Sequence, residues 1–416
     1  MTEMTAEAKE IRKRSRRVAA FFRKETAGPY CKIETATDME YWQQSKAYVI
    51  LISYLFDVSS LIQGVRTTDP FPVSRSIKRL LTIFDALEAL IVANPPVASS
   101  AIDPKSSLTD SGNRSFRKWA RCMLRDIYYM VEKAVPKKKC QHVNELGFYL
   151  SASFGNSTKI EYGPSHELNF LFFVCSLFQA HILSKQEDLA ASGLVLFDRY
   201  LKLVRRLQVT YSMAPPPNHG PYSLDKFQFL PFVWGAAQLC YDAPFSPRKM
   251  LDEDIVALHK GSYLLIDCVA HIMMTNIGSF ACHSSQLWCL ASLSQWTDIY
   301  RGLVFRYTED IVVDFELIQP MRFGTLMPFD MEKSKEPVAA VRLGVLSPVR
   351  VQIDEALDHS STSTKPETEE AADKSHDKKY DSLSNSGMSL GSHSTSLSDV
   401  SVHLPNWLEA EEGSSH

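Results

Sequence analysis

The sequence predicts an all-α protein built around one large helical domain, and three observations support this class. Apolar residues recur every three or four positions over several long segments, as on the buried face of a helix. Alternating strand patterns are scarce, with residues 349–353 as one weak candidate. Hydrophobic residues form 45% of the 416 residues and aromatic residues 11%, so a sizeable buried core is available.

Four helices are predicted from this periodicity, in chain order over residues 76–87, 116–134, 194–211 and 300–313. In the third, apolar residues lie on one face while charged residues such as Asp198 and Arg205 occupy the other. Helix breakers fall between the segments, among them Asn94-Pro95-Pro96 and Gln319-Pro320. The sequence has no repeat of fixed period, which argues against a solenoid.

Composition divides the chain into four parts. Residues 1–28 are predicted to form a charged, flexible leader with a basic run at residues 12–17. Such a run is typical of a solvated helix, and also of a nuclear address or a nucleic-acid patch. Residues 29–330 form the helical domain and 331–357 a linker. Residues 358–416 are rich in Ser and Thr and are predicted to be disordered, because they cannot bury enough apolar area to order themselves.

Charge, cysteine usage and hydropathy exclude several classes of protein. The net charge of −3 gives no indication of a nucleic-acid or membrane partner. The eight cysteines include no CxxC pair, and the sequence begins without the apolar stretch of a signal peptide. The longest apolar run, residues 47–56, is far shorter than the roughly 20 residues that span a bilayer. We therefore expect a soluble, reduced protein in the cytoplasm, with the nucleus as a second location.

Common enzyme signatures are absent from the sequence. There is no GxSxG elbow, no P-loop and no dinucleotide fingerprint. His166-Glu167 begins like the HExxH motif of a zinc protease, but Phe170 stands where the second histidine is required. Cys282 and Cys289 near His283 are soft metal ligands, although without a fourth ligand ordinary buried thiols are the favoured interpretation.

Four motif segments carry a resemblance to a known family. They are GNSTKIEYG at 155–163 followed by His166-Glu167, NHG at 218–220 with LDKFQFLPFVWG at 224–235, HSSQLW at 283–288, and FGTL at 323–326 with Pro328. In order and spacing they resemble the phosphotyrosyl phosphatase activator family, the activators of type 2A serine/threonine phosphatase. Asp38-Met39 and Trp42 with SKAY at 45–48 resemble its opening motif, so the resemblance covers about residues 31–329.

The resemblance implies a fold, partners and an activity. The fold is all-α, with core, lid and linker subdomains and a cleft between them. The partners are the catalytic subunit of protein phosphatase 2A, bound beside its scaffold subunit, and a proline-containing peptide. The implied activity is ATP- and Mg-dependent activation together with peptidyl-prolyl cis/trans isomerisation. A helical adaptor that binds the phosphatase without catalysis, and a standalone isomerase, remain alternatives.

Polar residues embedded in the aromatic motif segments are candidates for the peptide cleft. We assign them to its catalytic edge, with one tryptophan as a wall: Asp225, Gln228, His283, Gln286 and Trp234. For Phe229, Phe232 and Trp288, whose neighbours are apolar at helical spacing, core packing is the favoured interpretation. Prolyl isomerisation needs only an apolar pocket and a hydrogen-bond donor, because the twisted amide has lost its resonance. The same pocket also suits plain peptide binding.

The resemblance assigns six positions to the ATP site. They are Lys159, Pro164, Ser165, Gln319, Pro320 and Met321. Lys159 replaces a common arginine and keeps the charge without the bidentate fork. Pro164 and Ser165 stand where threonine and glycine are common, and proline removes a backbone donor. Pro320 and Met321 depart from the usual His-Phe, whereas Gln319 matches.

The metal-side loop and the partner-binding helix complete the implied site. Gly220 and Asp225 match the loop that approaches Mg²⁺, but Lys226 replaces a second aspartate. Gly302 is a helix-weak residue inside an apolar-periodic helix. It matches a position in the family's partner-binding helix, so we expect it on the phosphatase-facing surface.

Overall fold

The structure, a computed structural model, describes residues 28–96, 108–216 and 224–331, and the backbone of two short strands beyond them. These strands, β3 (Ala340–Arg342) and β4 (Ser401–His403), pair antiparallel within a separate unit spanning Ala340–His403. Residues 1–27 of the predicted leader lie outside the described residues. So do the predicted linker and disordered tail, apart from Met331 and these two strands.

The described part of the helical unit contains fifteen α-helices. In chain order they are α1 (Asp38–Gln43), α2 (Lys46–Leu61), α3 (Arg75–Ala93), α4 (Leu108–Ala134), α5 (Val143–Ser151), α6 (Pro164–Gln179), α7 (Lys185–Ala191), α8 (Phe197–Tyr211), α9 (Leu230–Gln238), α10 (Glu253–His259), α11 (Leu264–Thr275), α12 (Phe280–His283), α13 (Ser285–Leu290), α14 (Trp296–Tyr307) and α15 (Phe315–Ile318). None of the helices in this part is both long and apolar enough to cross a bilayer.

Shorter helical turns join several of these helices. The 3₁₀ turns are Lys137–His142, Ala152–Phe154 and Pro247–Lys249. Two π-helical turns, Ser192–Leu196 before α8 and Thr308–Val312 after α14, continue their helices without a break. The described helical unit contains two strands, β1 (Tyr30–Cys31) and β2 (Arg322–Phe323). They pair antiparallel and so connect the beginning of this unit to its end.

The all-α prediction is confirmed, and the four predicted helices correspond to α3, α4, α8 and α14. Their ends follow local chemistry. The Ser74 hydroxyl accepts the N–H of Ile77 at 3.2 Å and so caps α3, which ends directly before Asn94-Pro95-Pro96. Helix α8 ends at Tyr211, and the next residue, Ser212, has a left-handed φ of 52°, shortly before the proline run at 215–217.

Helix α6 is the central helix of the core. Thirteen of its sixteen residues are buried, and a helix that is apolar on every side must be surrounded by other elements. Phe170 stacks on Tyr200 of α8 with ring centroids 3.8 Å apart. Trp42 packs against Phe172 and donates its indole N–H to the carbonyl of Val312 at 2.8 Å. Helix α6 therefore carries the first motif segment into the middle of the helical unit.

Helices α9 and α11 approach each other very closely at Gly235. A Cβ at this position would lie 2.1 Å from the backbone nitrogen of Leu265, so any side chain would push the two helices apart. Helix α9 also packs against α14 and α2. This contact fixes the position of α11, one wall of the candidate site, relative to the core.

Candidate functional site

The carboxylate of Glu167 joins two of the motif segments. Glu167 lies in the first turn of α6, and its Oε2 accepts the backbone N–H groups of Phe229 and Leu230 at 3.2 and 2.9 Å. The first N–H groups of a helix have no acceptor within the helix itself. Glu167 supplies that acceptor and so caps α9, a helix that is distant in sequence. Burial raises the pKa of Glu167 to about 8, although the two backbone bonds act in the opposite direction.

His166 is held beside Glu167 as a neutral ring. Its Nδ1 accepts the backbone N–H of Gly163 at 3.1 Å, which places the ring proton on Nε2. The ring stacks on Tyr162 with centroids 5.4 Å apart. Burial lowers the pKa of His166 to about 4. Because Phe170 is a core residue one turn further on, the histidine supports the loop before α6 and the pair does not form a zinc-protease site.

The segment from Asp225 to Gln228 lies against the start of α6. Asp225 is half-buried, and desolvation raises its pKa against the opposing influence of nearby Arg205 and of the backbone N–H groups of Lys226 and Phe227. Gln228 is 1% exposed, and neither of its amide atoms makes a hydrogen bond within the described residues. Neither Asp225 nor Gln228 lines the cleft described below, so the structure does not place these two predicted residues at its edge.

A cleft of about 1360 Å³ lies between α10, α11 and the short helices α12 and α13. His283 and Trp288 of the HSSQLW motif line it together with Phe280 and Met274. Trp288 is 54% exposed, so the expectation that it packs in the core is wrong, while Phe229 and Phe232 are buried as expected. Helix α13 has only six residues, and Leu287 is its one buried residue.

Charged groups of both signs surround the apolar walls of this cleft. They are Arg205, Arg248, Lys260, Asp252, Glu253 and Asp267, with His271. The Arg205 guanidinium contacts Cys268 Sγ at 3.0 Å, and its buried Nε has no hydrogen-bond partner among the described residues. Desolvation and the neighbouring Arg205 lower the pKa of His271 to about 4. The cleft therefore combines apolar wall residues with groups that can hydrogen-bond a peptide.

The other predicted cleft residues occupy different positions. Trp234 is fully buried and packs edge-on against Phe197 at 4.9 Å, so the structure removes it from the cleft wall. Gln286 is half-buried on α13 and does not line the cleft. His283 does line it, with Nδ1 2.9 Å from the hydroxyl of Ser284. Lys226 reaches the rim, where its Nζ donates to Oδ1 of Asn276 at 2.7 Å.

The structure brings together two of the segments assigned to ATP. Asn169 donates from Nδ2 both to the carbonyl of Ser165 at 2.8 Å and to the sulfur of Met321 at 3.2 Å. Gln319 and Pro320 are exposed beside this contact. The Met321 side chain is fully buried and so contacts the protein interior rather than a ligand at the surface.

The remaining two residues of the predicted ATP site differ in accessibility. Pro164 is the buried first residue of α6. Lys159 is exposed in the preceding turn, 3.5 Å from the Glu161 carboxylate. The backbone of this turn is held by Asn156, whose Oδ1 accepts the N–H groups of Thr158 and Lys159 at 2.9 and 3.1 Å.

The structure describes only part of the predicted metal-side loop. Gly220 lies outside the described residues. Within the described ranges, no group of three or more His, Cys, Asp and Glu side chains is placed to hold a metal ion. Cys282 and Cys289 are exposed, so the expectation that they are ordinary buried thiols is wrong. They lie on the short helices α12 and α13, which have little of their surface buried.

Gly302 lies in the middle of α14 with open space beside it. A Cβ at this position would meet no atom within 4 Å, and the residue is half-buried. Packing within the chain therefore does not require glycine here. A partner that approaches the helix backbone closely is a physical reason for a glycine at such a position.

Comparison with known proteins identifies the family. A model of the Phosphotyrosyl phosphate activator (PTPA) protein family matches residues 29–329. The chain belongs to this family. The resemblance inferred from the four motif segments is thereby confirmed.

Individual members of the PTPA family are similar over most of their length. The serine/threonine-protein phosphatase 2A activator of Drosophila melanogaster is 43% identical over 317 residues, which cover 76% of this chain and 77% of that protein. A probable phosphatase 2A activator of Dictyostelium discoideum is 28% identical over 307 residues, covering 73% and 91%. The crystal structure of the PP2A phosphatase activator Ypa1 (PTPA1) superposes with a TM-score of 0.67 at 25% identity, covering 74% of this chain and 96% of that one.

A second buried carboxylate, Glu145, was missed by the sequence reasoning. It accepts the backbone N–H groups of Thr325 and Leu326 at 3.0 and 2.9 Å, and the Thr325 hydroxyl at 2.8 Å. Tyr149 donates to it from the next turn of α5 at 3.1 Å. It thereby anchors the FGTL motif of the PTPA family. The available signal was an acidic residue at an apolar-periodic position of α5.

Proposed function

We propose that this protein activates a type 2A serine/threonine phosphatase by binding its catalytic subunit beside the scaffold subunit. The observation that carries the proposal is the PTPA family match over residues 29–329, with a 43% identical relative named as an activator of this phosphatase. We place the activity in the cytoplasm, and in the nucleus as well because of the basic run at residues 12–17.

The test uses the full chain with purified catalytic and scaffold subunits of the phosphatase. The expected result is capture of both subunits on the immobilised chain, and a rise in phosphatase activity that saturates with added chain. Capture of the scaffold alone would contradict contact with the catalytic subunit. Failure to capture either subunit, with a chain shown to be folded by circular dichroism, would contradict the whole proposal.

We further propose that the cleft binds a proline-containing peptide and accelerates cis/trans interconversion of its prolyl bond. The barrier to cis/trans rotation, about 18–20 kcal/mol, is due to amide resonance. Water stabilises the planar, polar form of the amide and so helps to maintain this barrier. Trp288, Phe280 and Met274 supply apolar surface that removes water from the amide. Arg205 carries an unpartnered N–H as a donor for the twisted amide, whereas the Nε2–H of His283 already donates to the Gly278 carbonyl at 3.3 Å.

A coupled proline-peptide assay separates an isomerase from an adaptor. Replacing the exposed Trp288 with Ala should lower the isomerisation rate at least about tenfold, because it removes much of the apolar wall. Tyr41→Ala is the matched control, since Tyr41 is 50% exposed and lies on α1, outside the cleft walls. If the parent chain shows no turnover above background yet binds the phosphatase, it is an adaptor.

We also propose that ATP binds where the chain meets the phosphatase. The exposed ammonium of Lys159 and the Ser165 hydroxyl in the first turn of α6 fit a phosphate group. The phosphate would depend mainly on these side chains, because Pro164 has no N–H and the N–H of His166 is bonded to the Gly163 carbonyl at 2.9 Å. When bound, the nucleotide would supply negatively charged phosphates that attract basic groups of both proteins.

For the Mg²⁺ that we propose at this nucleotide, the motif resemblance offers one carboxylate of the described chain that would serve as a ligand. That carboxylate is Asp225, and a magnesium ion commonly combines one or two carboxylates with phosphate oxygens and water. We therefore assign its remaining ligands to the nucleotide, to water and to the phosphatase.

A further inference from the structure

A second, smaller cavity of about 360 Å³ lies between α2 and the C-terminal end of α6. Val49, Ile50 and Tyr54 of α2 form one apolar wall, and Phe178 of α6 faces them. None of these residues takes part in the motif segments or the cleft described above. A cavity of this size, apolar with a few polar groups, has the dimensions of a small-molecule site.

One buried hydroxyl in this cavity has no hydrogen-bond partner. Ser53 is 3% exposed and lines the cavity, and its Oγ bonds to no described atom. In the same helix Ser59 satisfies its hydroxyl by donating to the carbonyl of Leu55 at 2.7 Å. Ser53 therefore lacks the usual back-bond of a helical serine, and its hydroxyl is free for a polar atom inside the cavity.

Positive charge lies at both ends of the cavity. Lys46 is an exposed residue of α2 and lines the cavity seven residues before Ser53. Two turns of helix separate these residues, or about 10 Å along the axis. At the other end Lys185 is paired with Asp57 at 2.9 Å, so its charge is already balanced. Lys46 is therefore the cation available to an anionic ligand.

We propose that this cavity binds a small phenolic carboxylic acid. Its carboxylate pairs with the Lys46 ammonium at the mouth, and its flat ring packs between Ile50 and Phe178. Its phenol group then exchanges a hydrogen bond with the Ser53 hydroxyl, two helical turns further in. The seven-residue separation of Lys46 and Ser53 places the cation and the hydroxyl on one face of α2, and the apolar walls between them suit the ring.

The test measures binding of 3-(4-hydroxyphenyl)propanoate to the full chain by calorimetry and ligand-observed NMR. Two further probes divide the molecule: 3-phenylpropanoate lacks the phenol group, and 3-(4-hydroxyphenyl)propanamide lacks the charge. In the parent chain each should bind about fivefold or more weakly, because each loses one hydrogen-bonded contact. No phosphatase is needed, so the outcome is independent of the activation assay.

Variants assign each end of the probe to its residue. Ser53→Ala should bind 3-(4-hydroxyphenyl)propanoate and 3-phenylpropanoate equally, and Lys46→Gln should bind the acid and the amide equally. Lys78→Gln, an exposed lysine on α3, and Ser59→Ala, in α2 beyond the cavity, are the matched controls and should bind as the parent does. Lys46 is a surface residue, so its replacement leaves the fold intact even if Ser53→Ala lowers stability.

Two results would overturn the proposal. One is the absence of binding to the parent chain at millimolar probe. The other is binding that neither Lys46→Gln nor Ser53→Ala changes, since the probe would then occupy another surface.

Discussion

Oε2 of Glu167 lies 2.9 Å from the backbone nitrogen of Leu230, so a carboxylate of the central helix caps the start of α9. A second bond, from Phe229 at 3.2 Å, completes the cap. Because Oε1 has no partner among the described residues, the ionised carboxylate is incompletely satisfied. The same contact therefore holds two motif segments together and makes the stability of the chain dependent on pH.

The first prediction concerns that pH dependence. The pKa of Glu167 is about 8 in the folded chain, against an ordinary value of 4.5. Between these values the folded chain holds a proton that the unfolded chain has lost, so the free energy of unfolding falls as pH rises toward 8. His166 and His271, with pKa values of about 4, stay neutral in the folded chain from pH 6.5 to 8 but still lose protons there when unfolded, so the Glu167 contribution is isolated by comparing the parent with Glu167→Gln.

Urea unfolding at pH 6.5 and 8 checks this prediction. The parent should lose up to about 1.4 kcal/mol per pH unit more than Glu167→Gln, which cannot ionise at this position. Glu40→Gln, at an exposed position of α1, is the control and should behave as the parent does. Equal slopes for the parent and Glu167→Gln would mean that the carboxyl ionises normally.

The second prediction concerns the anchor of the FGTL motif. Glu145→Ala leaves the buried N–H groups of Leu326 and Met327 without their acceptor. We expect a loss of roughly 3 kcal/mol or more in the free energy of unfolding, since each orphaned donor costs about 1–3 kcal/mol. Glu145→Gln keeps one acceptor oxygen and should lose less. Chemical denaturation at one pH measures both, and an unchanged midpoint for Glu145→Ala would show that water replaces the carboxylate.

The sequence predicted helices and their buried faces best where the apolar periodicity extends over many residues. In α8 the apolar face repeats over fifteen residues, and the helix and the apolar residues of its buried face were predicted correctly, whereas Asp198, expected on the charged face, is buried. Trp288 and Trp234 could not be told apart in this way. Each lies in a short aromatic segment where periodicity indicates a helix but not whether another element covers it. The structure buries Trp234 among α2 and α8 and leaves Trp288 at the cleft.

Long-range polar contacts were beyond sequence reasoning for a different reason. Glu145 and Thr325 are 180 residues apart, and Glu167 and Leu230 are 63 apart. Nothing local in either helix shows which backbone donors a buried carboxylate will meet. The sequence shows only that an acidic residue at an apolar-periodic position needs a partner.

The third prediction tests the phosphatase-facing assignment of α14. Gly302→Asp should abolish capture of the phosphatase while the helical circular dichroism stays unchanged, because a side chain at this position meets no atom of the chain within 4 Å. Gly302→Ala is the matched control. It should raise helix stability by up to about 1 kcal/mol and weaken capture only in part, since its side chain is small. Normal capture by Gly302→Asp would place the interface elsewhere.

The last prediction concerns Lys226, which the motif resemblance places where a second aspartate is expected. Its ammonium donates to Asn276 at 2.7 Å, at the C-terminal end of α11, where a positive charge is favourable. Beside Asp225 it offers no oxygen to Mg²⁺ and opposes a cation in the loop. We therefore expect weaker dependence on Mg·ATP than in relatives that keep both aspartates.

Two variants separate the charge of Lys226 from its missing oxygen ligand. Lys226→Asp adds a carboxylate and should lower the Mg·ATP concentration needed for half-maximal phosphatase activation severalfold. Lys226→Gln removes the charge without adding a carboxylate, so its shift should be smaller. Both variants lose the favourable charge at the end of α11. Their free energy of unfolding should therefore fall by about 0.3–1 kcal/mol, which lowers the melting temperature slightly. If the parent already responds tightly to Mg·ATP and Lys226→Asp does not improve the response, the second aspartate has no role at the metal in this chain.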